Sequence, residues 1–133
     1  GLKDGTIVFP HKLMTVLERA DWASQVVIDV RKDQDFLVGI VVMDSNRIRD
    51  FCRQRNISVA KALEDDTLQK LVLQEFHCIP EARSLHVYKL KRLLLTASPW
   101  TIRNKLLTGS HKKRVNVILQ KYSSELEKVY AVQ

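Results

Sequence analysis

The 133-residue sequence contains only two cysteines, Cys52 and Cys78, and they lie too far apart along the chain to form a metal-binding motif. Small disulfide-stabilised domains and zinc domains need more cysteines at closer spacing, so neither framework is expected to hold this chain together. We therefore predict two free thiols, no metal site and a reducing, intracellular environment.

Long apolar runs are also lacking. No run reaches the roughly 18 residues that a membrane-spanning helix needs, and no signal-peptide pattern opens the chain. The sequence is 45% hydrophobic, which suits one domain with a modest core. These features predict a cytoplasmic protein, or one that contacts a membrane peripherally, without a transmembrane segment.

Acidic residues are missing from one long stretch. Between Arg83 and Ser124 there are ten Lys or Arg and no Asp or Glu, and the net charge of the chain is +7. Such a one-sided segment attracts polyanions, which leaves nucleic acid, phosphorylated small molecules and an anionic membrane surface as candidates. The sequence has no aromatic-interleaved recognition strand and no glycine-rich RNA-binding signature, so we expect no specific nucleic-acid partner.

The pattern of apolar residues and turn formers predicts an α+β fold, in which a small sheet with a β-hairpin is packed against helices. Helices are expected at Pro10 to Arg19, from Asp44 or Ser45 to about Arg55, and from Asp65-Asp66 to about Cys78. Strands are expected at Ser24 to Arg31, Phe36 to Met43 and Arg83 to Leu94, with residues 32–35 as the hairpin turn.

The most informative segment runs from Trp100 to Arg114. A turn-prone stretch, Thr108 to Ser110, is followed at once by the basic run Lys112 to Arg114. Apolar residues then recur at helical spacing and predict one long amphipathic helix: Val115, Ile118, Leu119, Tyr122, Leu126 and Val129. A loop of this kind can present a lysine to a phosphate, although a solvated helix start has the same composition.

With its flanks, this segment resembles the C-terminal signature of the long-chain fatty acyl-CoA synthetases, which are members of the adenylate-forming superfamily. The residues in register are Thr101, Asn104, Leu106, Leu107, Thr108, Ser110 and Lys112, with Trp100 at an aromatic position. Two further blocks resemble the same family in the same order, one from Leu2 to Pro10 and one from Phe36 to Asp44. The resemblance therefore extends over nearly the whole chain.

The resemblance implies that residues 1–133 form the C-terminal lid domain of an ATP-dependent, AMP-forming long-chain fatty acid-CoA ligase. Lys112 is then the catalytic lysine, which bridges the carboxylate and the phosphates, and a register shift of one residue would give that role to Lys113. The implied ligand contacts are completed by Thr108, Ser110, Lys113 and Arg114 around the phosphates. Gly5 is implied to lie beside the pantetheine arm of coenzyme A during thioester formation.

The resemblance also implies partners outside this chain. These are the protein's own N-terminal adenylation domain, a hinge upstream of Gly1, and fatty acid, ATP, Mg²⁺ and coenzyme A, so the fragment alone is expected to be inactive. The chain departs from the family pattern at Thr6, Ile7, His11, Lys105 and Gly109. Two alternatives stay open: a non-catalytic relative, and a free-standing basic domain that binds nucleic acid or anionic lipid.

Overall fold

A three-stranded mixed sheet lies at the centre of the computed structural model, which describes residues 1–132. Its strands are β1 (Ala23–Asp29), β2 (Leu37–Met43) and β3 (Leu90–Thr96), in the order β1-β2-β3. β1 and β2 form the predicted antiparallel hairpin, whereas β3 runs parallel to β2. All seven residues of β2 are buried, so both faces of the sheet are covered.

Seven α-helices and one 3₁₀ turn surround the sheet over residues 1–132. They are α1 (Pro10–Leu17), α2 (Ser45–Arg55), α3 (Val59–Leu63), α4 (Asp66–His77), α5 (Pro80–Arg83), the 3₁₀ turn Val87–Lys89, α6 (Val115–Lys121) and α7 (Ser123–Ala131). The three predicted N-terminal helices are confirmed, because their start signals act as expected: Pro10 opens α1, and the Asp44 and Asp65 carboxylates accept backbone N–H groups at the starts of α2 and α4. The α+β prediction is therefore confirmed.

Two predicted boundaries are wrong. The strand expected from Arg83 begins only at Leu90, because Pro80 starts a short helical turn and His86 adopts a left-handed backbone with φ 64°. The expected long C-terminal helix is divided at Tyr122, whose backbone leaves helical geometry at φ −98° and ψ 15°. The Tyr122 hydroxyl accepts a hydrogen bond from the Trp100 indole N–H at 3.3 Å, which ties the break to the preceding loop.

The helices pack against all three strands of the sheet. α1 contacts β1 and α4 contacts β3, while α6 contacts β1 and α7 contacts β2 and β3. Both thiols are free as predicted, with Cys52 buried and Cys78 exposed. No helix formed by residues 1–132 is long and apolar enough to cross a membrane.

Candidate functional site

The segment that leads to the basic run is fastened to β1 by one side chain. The Gln25 amide accepts a hydrogen bond from the Trp100 backbone N–H at 2.8 Å and donates one to the Trp100 carbonyl at 2.9 Å. The Trp100 ring itself is only 2% exposed. This pairing fixes where the segment leaves the sheet edge, since both backbone groups of Trp100 are satisfied by the same strand residue.

Thr101 and Asn104 shape the next turn. The Asn104 side chain accepts from the Thr101 N–H at 2.9 Å, and the Thr101 hydroxyl accepts from the Asn104 N–H at 3.0 Å. The Asn104 amide also donates to the Pro99 carbonyl at 3.0 Å. The side chains of these two signature residues therefore form hydrogen bonds within the turn and hold its backbone in shape.

The basic run lies on a narrow hairpin that we term the lysine loop (residues 106–114). Leu107 and Lys113 pair as an antiparallel bridge at its base. At its tip the Thr108 N–H donates to the Lys112 carbonyl at 2.8 Å, and the Lys112 N–H donates to the Thr108 hydroxyl at 3.1 Å. The Thr108 and Ser110 hydroxyls lie 3.2 Å apart, and His111 takes a left-handed backbone with φ 63°. The structure therefore brings the predicted residues Thr108, Ser110 and Lys112 together.

The two consecutive lysines of this loop have different surroundings. The Lys113 ammonium lies 2.6 Å from the Glu18 carboxylate and 2.8 Å from the Val26 carbonyl, and its side chain is 18% exposed. Lys112 is exposed, and its ammonium has no hydrogen bond or ion pair within residues 1–132. Of the two, Lys112 is the one whose charge is available to a ligand.

Arg114 closes the base of the lysine loop. Its N–H donates to the Leu106 carbonyl at 3.0 Å, and its guanidinium donates to the Lys105 carbonyl at 2.8 Å. Lys105 is held with φ 66°, although the family pattern has glycine there. The Arg114 side chain therefore supports a strained corner of the loop while the residue stays exposed.

A cleft of about 450 Å³ lies between the lysine loop, α1 and β1. Its lining residues are His11, Thr15, Glu18, Ser24, Gln25, Leu107, His111, Lys112, Lys113 and Val115. The wall is polar and carries more basic than acidic groups, so it suits part of an anionic ligand. Within residues 1–132 no group of three or more His, Cys, Asp or Glu side chains lies close enough together to hold a metal ion.

Gly5 lies elsewhere, in a turn that we term the glycine loop (residues 2–6). The Gly5 N–H donates to the Leu2 carbonyl at 3.0 Å, and Gly5 has φ 89°, a conformation that favours glycine. A Cβ added there would meet no heavy atom within 4 Å. The position is therefore open to approach by a ligand but strained for any other residue.

One ion pair attaches the glycine loop to the body of the domain. Asp4 pairs with Lys89, and the Lys3 N–H donates to the Gln34 carbonyl at 3.0 Å. The hydrogen bond from the Lys89 ammonium, together with those from Thr6, lowers the pKa of the Asp4 carboxyl below its ordinary value. The glycine loop is thus tied to the hairpin turn and to the 3₁₀ turn before β3, whereas the lysine loop is tied to the end of α1 and to β1.

Sequence reasoning missed Glu18 and Val26 as parts of the site. Glu18 follows the last residue of α1, and it lies 95 residues before its partner Lys113. An acid at a helix end has no local pattern that identifies a distant basic partner, so only the fold reveals the contact.

A scan against protein-family models finds no match. The chain is 30% identical over 139 residues to fatty acyl-CoA synthetase A of Dictyostelium discoideum, and this match covers 98% of the chain and 20% of that protein. It is 23% identical over 134 residues to long-chain-fatty-acid–CoA ligase 6 of Homo sapiens, with 98% and 19% covered. The chain therefore spans about a fifth of the length of these curated relatives.

Two solved structures share the fold of this chain over about a fifth of their own length. The adenylation domain of the carboxylate reductase from Mycobacterium chelonae matches with a TM-score of 0.83 at 17% identity, over 98% of this chain and 19% of that one. The didomain of the carboxylic acid reductase from Segniliparus rugosus, solved in complex with AMP, matches with a TM-score of 0.80 at 19% identity, over 98% and 17%. These likenesses confirm the predicted fold, and the matches to curated proteins confirm the resemblance to long-chain fatty acyl-CoA synthetases.

Proposed function

We propose that this chain, which resembles the long-chain fatty acyl-CoA synthetases along almost its whole length, is the C-terminal lid domain of an ATP-dependent, AMP-forming fatty acid-CoA ligase. Its partner is a large N-terminal adenylation domain of the same protein, and its substrates are a long-chain fatty acid, ATP and coenzyme A. The observation that carries this proposal is the lysine loop, where Lys112 extends from a backbone that hydrogen bonds hold in place.

In the first half-reaction a carboxylate oxygen of the fatty acid attacks the α-phosphorus of ATP, and the bond to pyrophosphate breaks. Negative charge is concentrated where two anions meet, so a cation held at that point lowers the barrier. A single group of this kind contributes about 2–4 kcal/mol to the transition state. Lys112 supplies the ammonium, and Thr108, Ser110 and Arg114 lie beside it as further phosphate contacts.

In the second half-reaction the coenzyme A thiolate attacks the acyl carbonyl, and AMP leaves. The domain turns between the two steps, so that the glycine loop replaces the lysine loop at the reacting centre. Gly5 suits this role because its backbone lacks a side chain and the space beside it is open. Pantetheine can then pass close to the peptide.

The proposal is tested by Lys112→Ala in the full-length protein, with ATP-pyrophosphate exchange as the measure of adenylate formation. Exchange should fall by about two to three orders of magnitude, because one charge-stabilising group is lost. Thioester formation from supplied acyl-adenylate should stay near the parent rate. Lys128→Ala, a change of an exposed lysine on α7, is the matched control and should leave both rates unchanged. Equal losses in both half-reactions after Lys112→Ala would contradict the assignment.

A further inference from the structure

We propose that Glu18 and Lys113 form a positioning pair, which holds the lysine loop against α1 and β1 so that Lys112 faces the reacting centre. The inference rests on the proposed function, because it concerns the orientation of the lysine assigned there. It gives Lys113 a different role from Lys112, although the two are neighbours in a basic run.

The pair is built around the backbone N–H and carbonyl of one residue of β1, Val26. The Glu18 carboxylate accepts the Val26 N–H at 2.8 Å, and the Lys113 ammonium donates both to that carboxylate and to the Val26 carbonyl. Val26 is fully buried in the sheet. The lysine loop is therefore held in place by a rigid strand and not by another loop.

Burial separates this pair from the ordinary surface ion pairs of the domain. The side chains of Lys113 and Glu18 are 18% and 27% exposed at 2.6 Å, whereas the neighbouring pair Arg19–Glu81 is 60% and 61% exposed at 3.8 Å. Exposed pairs at long distance contribute little to holding a conformation, while a close and partly buried pair with extra hydrogen bonds constrains it. Arg19 thus provides a control on the same helix end.

Chain geometry links this anchor to Lys112. The two lysines are consecutive, and Lys113 is the residue that pairs with Leu107 at the base of the lysine loop. Fixing Lys113 on Glu18 therefore also fixes the backbone from which the exposed Lys112 side chain extends. The tip of the loop has open space beside Gly109, where an added Cβ would meet no heavy atom within 4 Å, so the contacts that hold the loop lie at its base.

The test uses Glu18→Gln, Lys113→Met and the double variant in the full-length protein. Glu18→Gln keeps an oxygen to accept the Val26 N–H, so the fold is retained while the charge pair is lost. Adenylate formation should fall by about ten- to a hundredfold, mainly in kcat, because a misplaced catalytic group costs rate more than substrate binding. Thioester formation from supplied acyl-adenylate should stay unchanged. The double variant should be no worse than the poorer single variant, since both remove one interaction.

Hydrogen exchange of the same proteins supplies a readout that does not depend on catalysis. Peptides covering residues 106–114 should exchange faster in each variant and at the parent rate in Arg19→Gln. Unchanged loop exchange and unchanged adenylate formation, beside a defective Lys112→Ala, would overturn the positioning pair and leave the proposed function standing. A Lys113→Met loss as large as that of Lys112→Ala without faster loop exchange would also overturn it, because Lys113 would then contact the substrate. Full activity of Lys112→Ala would overturn the proposed function and with it the positioning role.

Discussion

The lysine loop and the glycine loop are fastened in similar ways but present opposite chemistry. Each is a short turn at the margin of the sheet, held by a single lysine–carboxylate pair: Lys113 with Glu18 in one case, Lys89 with Asp4 in the other. The lysine loop extends a charged side chain, whereas the glycine loop offers bare backbone at Gly5.

This difference explains what each anchor has to achieve. A cation acts through its position, so the lysine loop needs an anchor at the residue next to Lys112. A glycine acts through the absence of a side chain and through its φ of 89°, so its loop needs only to keep that backbone angle. Under the proposed function, the first loop serves charge stabilisation and the second serves close approach of a substrate.

The largest effect expected in the glycine loop comes from Gly5→Leu. The side chain occupies the space proposed for pantetheine, and the positive φ adds about 1–3 kcal/mol of strain to the folded loop. In the full-length protein, acyl-CoA output should fall while pyrophosphate exchange stays near normal. Lys3→Leu, a change of an exposed residue in the same loop, should leave both rates near the parent values. Joint loss of exchange and output in a folded Gly5→Leu protein would show that the loop is not specific to the thioester step.

A smaller effect is expected from Asp4→Asn, which removes the charge but keeps an oxygen for the Thr6 N–H. The pKa of Asp4 is lower in the folded state than in the unfolded state, so the carboxylate stabilises the glycine loop above the ordinary pKa of about 3.9 and loses this effect as pH falls through the lowered value. At neutral pH, peptides covering residues 1–7 should therefore exchange amide hydrogens faster in the variant than in the parent. This difference should persist down to about pH 4 and disappear in stronger acid. Its disappearance at a higher pH would contradict the assigned pair.

The smallest effect is expected from Gly109→Ala at the tip of the lysine loop. Gly109 does not have a positive φ, and an added Cβ would meet no atom within 4 Å, so alanine restricts mainly the unfolded chain. The free energy of unfolding should rise by about 0.4–1 kcal/mol in urea denaturation of the 133-residue chain. Gly39→Ala is the contrasting control, because its Cβ would lie 3.1 Å from the Leu93 side chain inside the sheet. A destabilised Gly109→Ala protein would indicate a backbone conformation that only glycine adopts.

The parts of the fold that could be predicted from the sequence are those with local causes. Pro10, Asp44 and Asp65 each act within a few residues of their own position, and the apolar runs on both sides of residues 32–35 can pair directly. Local signals conflict before β3, where the apolar residues Leu85 and Val87 suggest a strand but Pro80 already starts helical backbone. The tertiary contacts decide between them there.

The candidate site divides in the same way. The position of Lys112 follows from the resemblance and from the turn before it, and the open surroundings of Gly5 agree with a turn glycine. The contact between Lys113 and Glu18 spans 95 residues, so its two halves have no common sequence signal. The sequence gives no sign that Lys112 and Lys113 have different surroundings. The difference arises from the packing of α1 against β1, which brings Glu18 to Lys113 and leaves Lys112 exposed.

The most direct test of the account is to measure both half-reactions of Lys112→Ala and Gly5→Leu side by side in the full-length protein. We predict a crossover: Lys112→Ala loses pyrophosphate exchange and keeps thioester formation from supplied acyl-adenylate, whereas Gly5→Leu keeps exchange and loses thioester formation. Parallel losses in the two variants, with both proteins folded, would contradict the division of work between the two loops.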